Sequence, residues 1–173
     1  MPVTTLWHSV ARTGDGTMKF DSFDVKILNL LQQNNQITSA ELAERVNLSS
    51  ASCLRRVRRL REEKVITSDV SIVSPEAAGR GLTMIVMVSL ERERSELLDN
   101  FKRSILARPE VTQCYYVTGE ADFIIVLHAS DIGDYERFTK KFFFDNPNVR
   151  RFSTMVVMDR IKFSTAIPID LAE

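Results

Sequence analysis

The stretch Ser49-Ser50-Ala51-Ser52-Cys53-Leu54-Arg55-Arg56-Val57-Arg58-Arg59-Leu60-Arg61 holds five arginines and no acid in thirteen residues. On a helix turning about 100° per residue, Cys53, Leu54, Val57 and Leu60 fall on one side. Ala51, Ser52, Arg55 and Arg59 fall opposite, with Arg56 and Arg58 flanking. One face is suited to packing and the other is cationic. Guanidinium groups pair with phosphate oxygens and base edges, hydroxyls meet base edges, and small residues let a helix start enter the major groove. The chemistry indicated is recognition of duplex DNA. Arg55 and Ser52 are the candidate base readers, and Arg56, Arg58 and Arg59 the candidate phosphate contacts. Ser49 and Ser50 lie at the helix start, and Thr38 or Ser39 at the preceding helix N-terminus joins the phosphate set. A solvated basic helix face would carry the same arginines, so the surrounding elements must decide.

Those elements are legible. Residues 24–33 place Val25, Ile27, Leu28, Leu30 and Leu31 at helical spacing, with Asp21 or Ser22 available to cap the start. After the polar break Asn34-Asn35-Gln36, the run Thr38-Ser39-Ala40-Glu41 sets a hydroxyl at the cap and a carboxylate three positions on. That capping box predicts a second helix to about Val46. Asn47-Leu48-Ser49 forms a short turn, because Asn tolerates the left-handed conformation, and Ser49 caps a third helix reaching about Lys64. Val65-Ile66 with the alternating Val70 and Ile72 predicts a two-stranded wing, and Ser74-Pro75-Glu76 with Gly79 and Gly81 reads as a linker. The joint spacing is that of a winged helix-turn-helix. Segment 24–68 has eight Lys/Arg against five Asp/Glu, so the neutral chain hides a basic first half and an acidic remainder.

From residue 82 the period changes from helical to alternating. Residues 82–91, 111–118, 121–128 and 152–158 read as strands, and 95–107 and 131–143 as helices. This β-α-β-β-α-β order predicts a ferredoxin-like domain in an α+β chain, with both helices on one face of a four-stranded antiparallel sheet. In 82–90 both alternating sets are apolar, Leu82, Met84, Val86 and Val88 against Ile85 and Met87. A strand apolar on both sides predicts that another subunit covers the open face, hence a homodimer. Tyr115 and Tyr116 should face opposite sides, one in the core and one at an interface, and Phe142-Phe143-Phe144 should serve core and oligomer contacts.

Other functions find no support. Cys53 and Cys114 lie in different units without ligand spacing, which argues for reduced thiols in a cytosol and against a metal site. His8 and His128 are far apart, and there is neither a nucleophile elbow nor a Gly-rich phosphate loop, so an enzyme is not expected and no cofactor is implied. No apolar run reaches the roughly 18 residues of a membrane helix, and residues 1–18 read as a loose tail rather than a secretory signal.

Phe20-Asp21 with Asp24-x-x-Ile27-Leu28, then Glu41-Leu42-Ala43-x-x-Val46-x-Leu48-Ser49 and Cys53-Leu54-x-Arg56-Val57-x-x-Leu60, resembles the leucine-responsive/asparagine-responsive (Lrp/AsnC) family of bacterial and archaeal regulators. Tyr116-Val117-Thr118-Gly119-Glu120-Ala121-Asp122-Phe123 and Val156-Val157-Met158 are similar to that family's RAM (regulation of amino-acid metabolism) module, so the match spans about residues 20–168. The resemblance implies dimers through the sheet, often assembled into octamers, with an amino-acid effector between dimers. Where the family often has Gly, Pro and Gly, this chain has Asn47, Ser52 and Lys64, and the family's Gly-Asp-Phe-Asp loop is here Gly119-Glu120-Ala121-Asp122.

The implied effector residues are Thr118, Gly119, Glu120, Ala121 and Asp122. Backbone N–H groups around Gly119 suit a carboxylate, and Glu120 or Asp122 suits an ammonium. A plain hairpin turn with solvated acids is the alternative. The expected plan is a tail over 1–18, the winged helix-turn-helix over 19–68, wing strand and linker over 69–81, the ferredoxin-like domain over 82–160 and a C-terminal tail over 161–173. The expected role is a cytoplasmic, amino-acid-responsive regulator of amino-acid metabolism or transport genes. An architectural DNA-wrapping protein with weak base selectivity is the alternative.

Overall fold

The computed structural model describes residues 20–170, so the expected tail over 1–18 lies outside the described residues. The chain divides into two compact units between Ser71 and Ile72 and again between Ile161 and Lys162. The first unit therefore contains both the N-terminal helices and the C-terminal segment.

Three helices build the first unit: α1 (Ser22–Gln33), α2 (Ser39–Val46) and α3 (Ser50–Glu62). Each begins on a side chain that occupies otherwise unpaired amide groups. Asp21 accepts from the N–H groups of Phe23 and Asp24, Thr38 from that of Glu41, and Ser49 from that of Ser52. Helices α2 and α3 end alike. Asn47 and Lys64 adopt positive φ of 61° and 60°, and the next amide returns to the carbonyl five residues back, Leu48 to Ala43 and Val65 to Leu60. Both ends are Schellman motifs with the left-handed position filled by a residue other than Gly. The core joins Ile27, Leu28, Leu42, Val46, Cys53, Val57 and Leu60.

Two expectations change here. The wing segment is an extended loop: residues 65–73 form no strand, Val65 and Ile66 turn back to pack on the helical core, and Val70, Ile72 and Val73 stay exposed. Two apolar residues drawn into the core leave no partner strand for Val70 and Ile72. The C-terminal segment is also not a separate tail. Gln32 on α1 accepts from the Ile167 N–H at 2.7 Å and donates to its carbonyl at 2.9 Å, Asn29 donates to the Ile169 carbonyl, and Ile169 packs on the three-helix core.

The second unit runs β1 (Leu82–Leu90), α4 (Ser95–Leu106), β2 (Val111–Tyr116), β3 (Phe123–Ala129), α5 (Ile132–Thr139) with a π-helical turn (Lys140–Phe144), and β4 (Val149–Val156). The sheet order is β2-β3-β1-β4 and every pairing is antiparallel, the ferredoxin-like arrangement. Met84, Val86, Val88 and Leu90 of β1 and Phe123, Ile125 and Leu127 of β3 share one face with Phe101, Ile105, Phe138, Phe142 and Phe143. The other face presents Ile85, Met87, Ile124, Val126, Tyr115 and Met155, half-buried or exposed. Tyr115 and Tyr116 are both exposed, correcting the expectation that one is buried. Tyr116 lies at the rim of the core face, its ring 5.1 Å from Phe123. Phe142 and Phe143 are buried while Phe144 is exposed and meets Phe152 edge-on.

Candidate nucleic-acid interface and ligand loop

The caps fix the start of α3, and its buried stripe Cys53, Val57 and Leu60 fixes its rotation against α1 and α2. The outward face then carries Ala51, Leu54, Arg55 and Arg58, all exposed. Leu54 departs from expectation: it is 57% exposed rather than packed. It sits about 100° around the helix from Cys53, at the edge of the apolar stripe, and Arg56 sits about 60° away on the other edge. The stripe turns toward the Arg56 side, because a buried acid awaits it there.

That acid is Asp24 of α1, 1% exposed. Its Oδ1 accepts from Arg56 Nη1 at 2.8 Å and its Oδ2 from Arg59 Nη2 at 2.6 Å. Arg56 also meets Asp21 at 2.8 Å and lies over the Phe23 ring, while Arg61 pairs with Asp69 at 3.0 Å. The Asp24 hydrogen bond holds the Arg56 guanidinium protonated beyond its ordinary range. The Asp24 amide first, and the Arg56 guanidinium after it, hold the Asp21 carboxyl below the usual carboxylate range. Of the five arginines, Arg55 and Arg58 alone have no acidic partner among the described residues. Arg56 and Arg59, the expected phosphate contacts, are both ion-paired with Asp24 on α1.

The hydroxyls are also placed. Ser49 Oγ caps α3 and donates to Ser52 Oγ at 3.0 Å, and Ser50 and Ser52 are half-buried. Thr38 Oγ1 accepts from the Glu41 N–H and the Thr38 N–H donates to Glu41 Oε2 at 2.9 Å, which closes the capping box; the Thr38 hydroxyl also donates to Glu41 Oε2 at 2.8 Å, and half-buried Ser39 lies next to it.

In the second unit, Thr118, Gly119 and Glu120 are exposed, Ala121 is buried and Asp122 half-buried, on the loop joining β2 to β3. Gly119 has φ 127°, a conformation that side chains disfavour. Asp122 departs from the expected ammonium-facing position: its Oδ2 accepts from the Leu90 N–H at 2.6 Å, where the β1–β4 register shifts. The bulge leaves that amide without a ladder partner, and the carboxylate supplies one. The Glu120 carbonyl accepts from Arg151 Nη2 at 3.1 Å, and Arg151 Nε donates to Ser89 Oγ at 3.3 Å. An open depression of about 220 Å³ lies beside them, lined by Met87, Ser89, Glu120, Ala121, Arg151 and Ser153. Arg151 was not singled out from sequence. Its signal is the pairing Ser89↔Arg151, which needs the β4 register.

The sequence pattern of the Lrp/AsnC ligand-binding domain matches residues 83–167, and that of a winged helix-turn-helix DNA-binding domain matches residues 20–67. The chain belongs to the Lrp/AsnC family. An HTH-type transcriptional regulator of Sinorhizobium fredii is 54% identical over 157 residues, 91% of this chain and 93% of that one. The glutamate uptake regulatory protein of Zymomonas mobilis is 34% identical, over 87% of this chain and 92% of its own. A transcriptional regulator from Neisseria meningitidis, solved in complex with L-Met, superposes with a TM-score of 0.83 at 31% identity, covering 87% of this chain and 97% of its own. This Lrp/AsnC chain is accordingly a transcriptional regulator with a DNA-binding unit and a ligand-binding domain, and not an enzyme. Among the described residues no helix is long and apolar enough to cross a membrane.

Proposed function

We propose that the protein is a cytoplasmic, amino-acid-responsive regulator that reads specific duplex DNA and controls amino-acid metabolism or transport genes. The observation that carries the reading is the outward face of α3, where Arg55 and Arg58 stand without acidic partners among the described residues while Arg56 and Arg59 are tied to Asp24. Free guanidinium groups on an exposed helix are available to guanine edges and phosphates. Arg55 reads bases with Ser52 beside it, Arg58 meets phosphate, and Ser49, Ser50, Thr38 and Ser39 border the track at the two helix starts. Arg56 and Arg59 set the angle of α3.

The effector is an amino acid held at the β2–β3 loop over Thr118, Gly119, Glu120, Ala121 and Asp122. The L-Met complex of the Neisseria relative and the glutamate uptake role of the Zymomonas relative support this class. The amides around Gly119 receive the carboxylate and the Glu120 side chain faces the ammonium, while Asp122 shapes the loop from below through Leu90. The apolar open face of the sheet, with Ile85, Met87, Ile124 and Val126, pairs two copies into a homodimer, the unit from which an octamer would be assembled.

The test is selection of genomic duplex fragments at physiological salt, with and without a panel of amino acids. Enrichment of one pseudo-palindrome, altered by a single amino acid, is the expected outcome. Uniform binding unaffected by every amino acid would instead mark an architectural DNA-wrapping protein.

A further inference from the structure

Leu54 is a large apolar side chain exposed at the border of the polar, cationic face of α3. It is 57% exposed, with Ala51 one turn before it, Arg55 next to it and Arg58 one turn after. An isolated exposed leucine carries no message by itself. This one lies at the border of the outward face of α3, with Arg58 one turn on and about 40° around the helix and Arg55 the next residue in sequence, the two arginines that have no acidic partner among the described residues. An apolar protein surface closing over Leu54 would strip water from both guanidinium groups without replacing it. The major groove of duplex DNA satisfies all three side chains together: it offers guanine acceptors and flanking phosphates to the cations, and the thymine C5-methyl group to an apolar contact.

We infer that Leu54 is a specificity-determining residue that selects thymine through its C5-methyl, beside a base pair read by Arg55. The inference rests on the DNA-reading role proposed for α3 and adds to it the chemical group that is read. Ser50 and Ala51, four and three residues before Leu54, are the small side chains of the preceding turn and leave room for the base step to approach.

The experiment takes the full-length chain and a duplex enriched from a random-sequence library. The duplex is remade with deoxyuridine replacing thymine at one position at a time, which removes only the C5-methyl. At one thymine in each half-site, the wild-type chain should lose affinity about fourfold, the factor expected for one buried methyl-sized group. Leu54→Ala should bind the parent duplex correspondingly more weakly and show no further loss at that thymine. Because Leu54 is exposed, its melting temperature should match wild type. An enriched duplex at which no deoxyuridine matters, or at which Leu54→Ala shows the same loss as wild type, overturns the assignment of Leu54 while leaving the DNA-reading role intact. A library that yields no enriched duplex overturns that role and the assignment together.

Discussion

Asp24 on α1 and Arg56 on α3 form a 2.8 Å ion pair in which the acid is buried and the base only half-buried, and the second oxygen of Asp24 holds Arg59. One carboxylate therefore fixes α3 against α1 and pairs two of its cations. A buried acid with two guanidinium partners is well satisfied; an arginine left facing the vacated site is not.

Asp24→Ala should destabilise the first unit by about 2–3 kcal/mol, below the usual cost of breaking a fully buried pair because Arg56 and Arg59 can partly rehydrate. Urea unfolding followed by helical signal measures it. A loss well under about 1 kcal/mol would show that α3 is held by Cys53, Val57 and Leu60 alone.

Lys64 occupies the left-handed position of a Schellman motif at φ 60°. Lys64→Gly relieves a backbone strain of about 1–2 kcal/mol and adds some unfolded-state entropy, for a net gain of about 0.5–1 kcal/mol. A raised thermal midpoint is expected, and a lowered one would mean that the lysine side chain has a stabilising contact.

Asp21 and Glu41 both have pKa values below their ordinary 3.8 and 4.5, each held down chiefly by a backbone amide at a helix start, that of Asp24 and that of Thr38 respectively. Because the folded values are the lower ones, their stabilisation is complete above the ordinary values and disappears as pH falls through the folded values. Stability of the first unit should owe no change to these groups above about pH 5 and should decline below about pH 4. Asp21→Asn and Glu41→Gln should flatten that acid limb in urea midpoints measured against pH; an unchanged limb would place the acid sensitivity elsewhere.

Burial pushes the Cys114 thiol from 9.0 up to about 11. At about pH 8 its thiolate fraction is about a hundredfold below that of an unfolded cysteine, so alkylation by iodoacetamide should be slower by about that factor in the folded chain. Rapid modification with the fold intact would mean that β2 opens easily.

Much of this architecture was legible because it is local. Thr38 and Glu41, three residues apart, specify the start of α2, Asn47 specifies its end, and the alternation of Met84, Val86 and Val88 specifies β1. What the sequence hid depends on partners far away in the chain. Leu54 and Arg56 are nearly symmetric about the α3 stripe, and only Asp24, thirty-two residues before Arg56, decides which turns inward. Asp122 looked like a ligand acid until the bulge at Leu90, again thirty-two residues away, placed an unpaired amide against it. Arg151 became visible only through the β1–β4 register, and the C-terminal segment only through Gln32, which grips Ile167 across 135 residues of sequence.

If the outward face of α3 reads DNA through Arg55 and Arg58, the double variant Arg55→Ala/Arg58→Ala should lose that reading while keeping its fold. Binding to an enriched duplex is measured across a salt series, with the melting temperature as a check on folding. A wild-type melting temperature is expected, with a loss of affinity of about a hundredfold or more and a salt dependence shallower by about 0.9 for each phosphate contact removed. Wild-type affinity and salt slope in the folded double variant would show that DNA is read elsewhere.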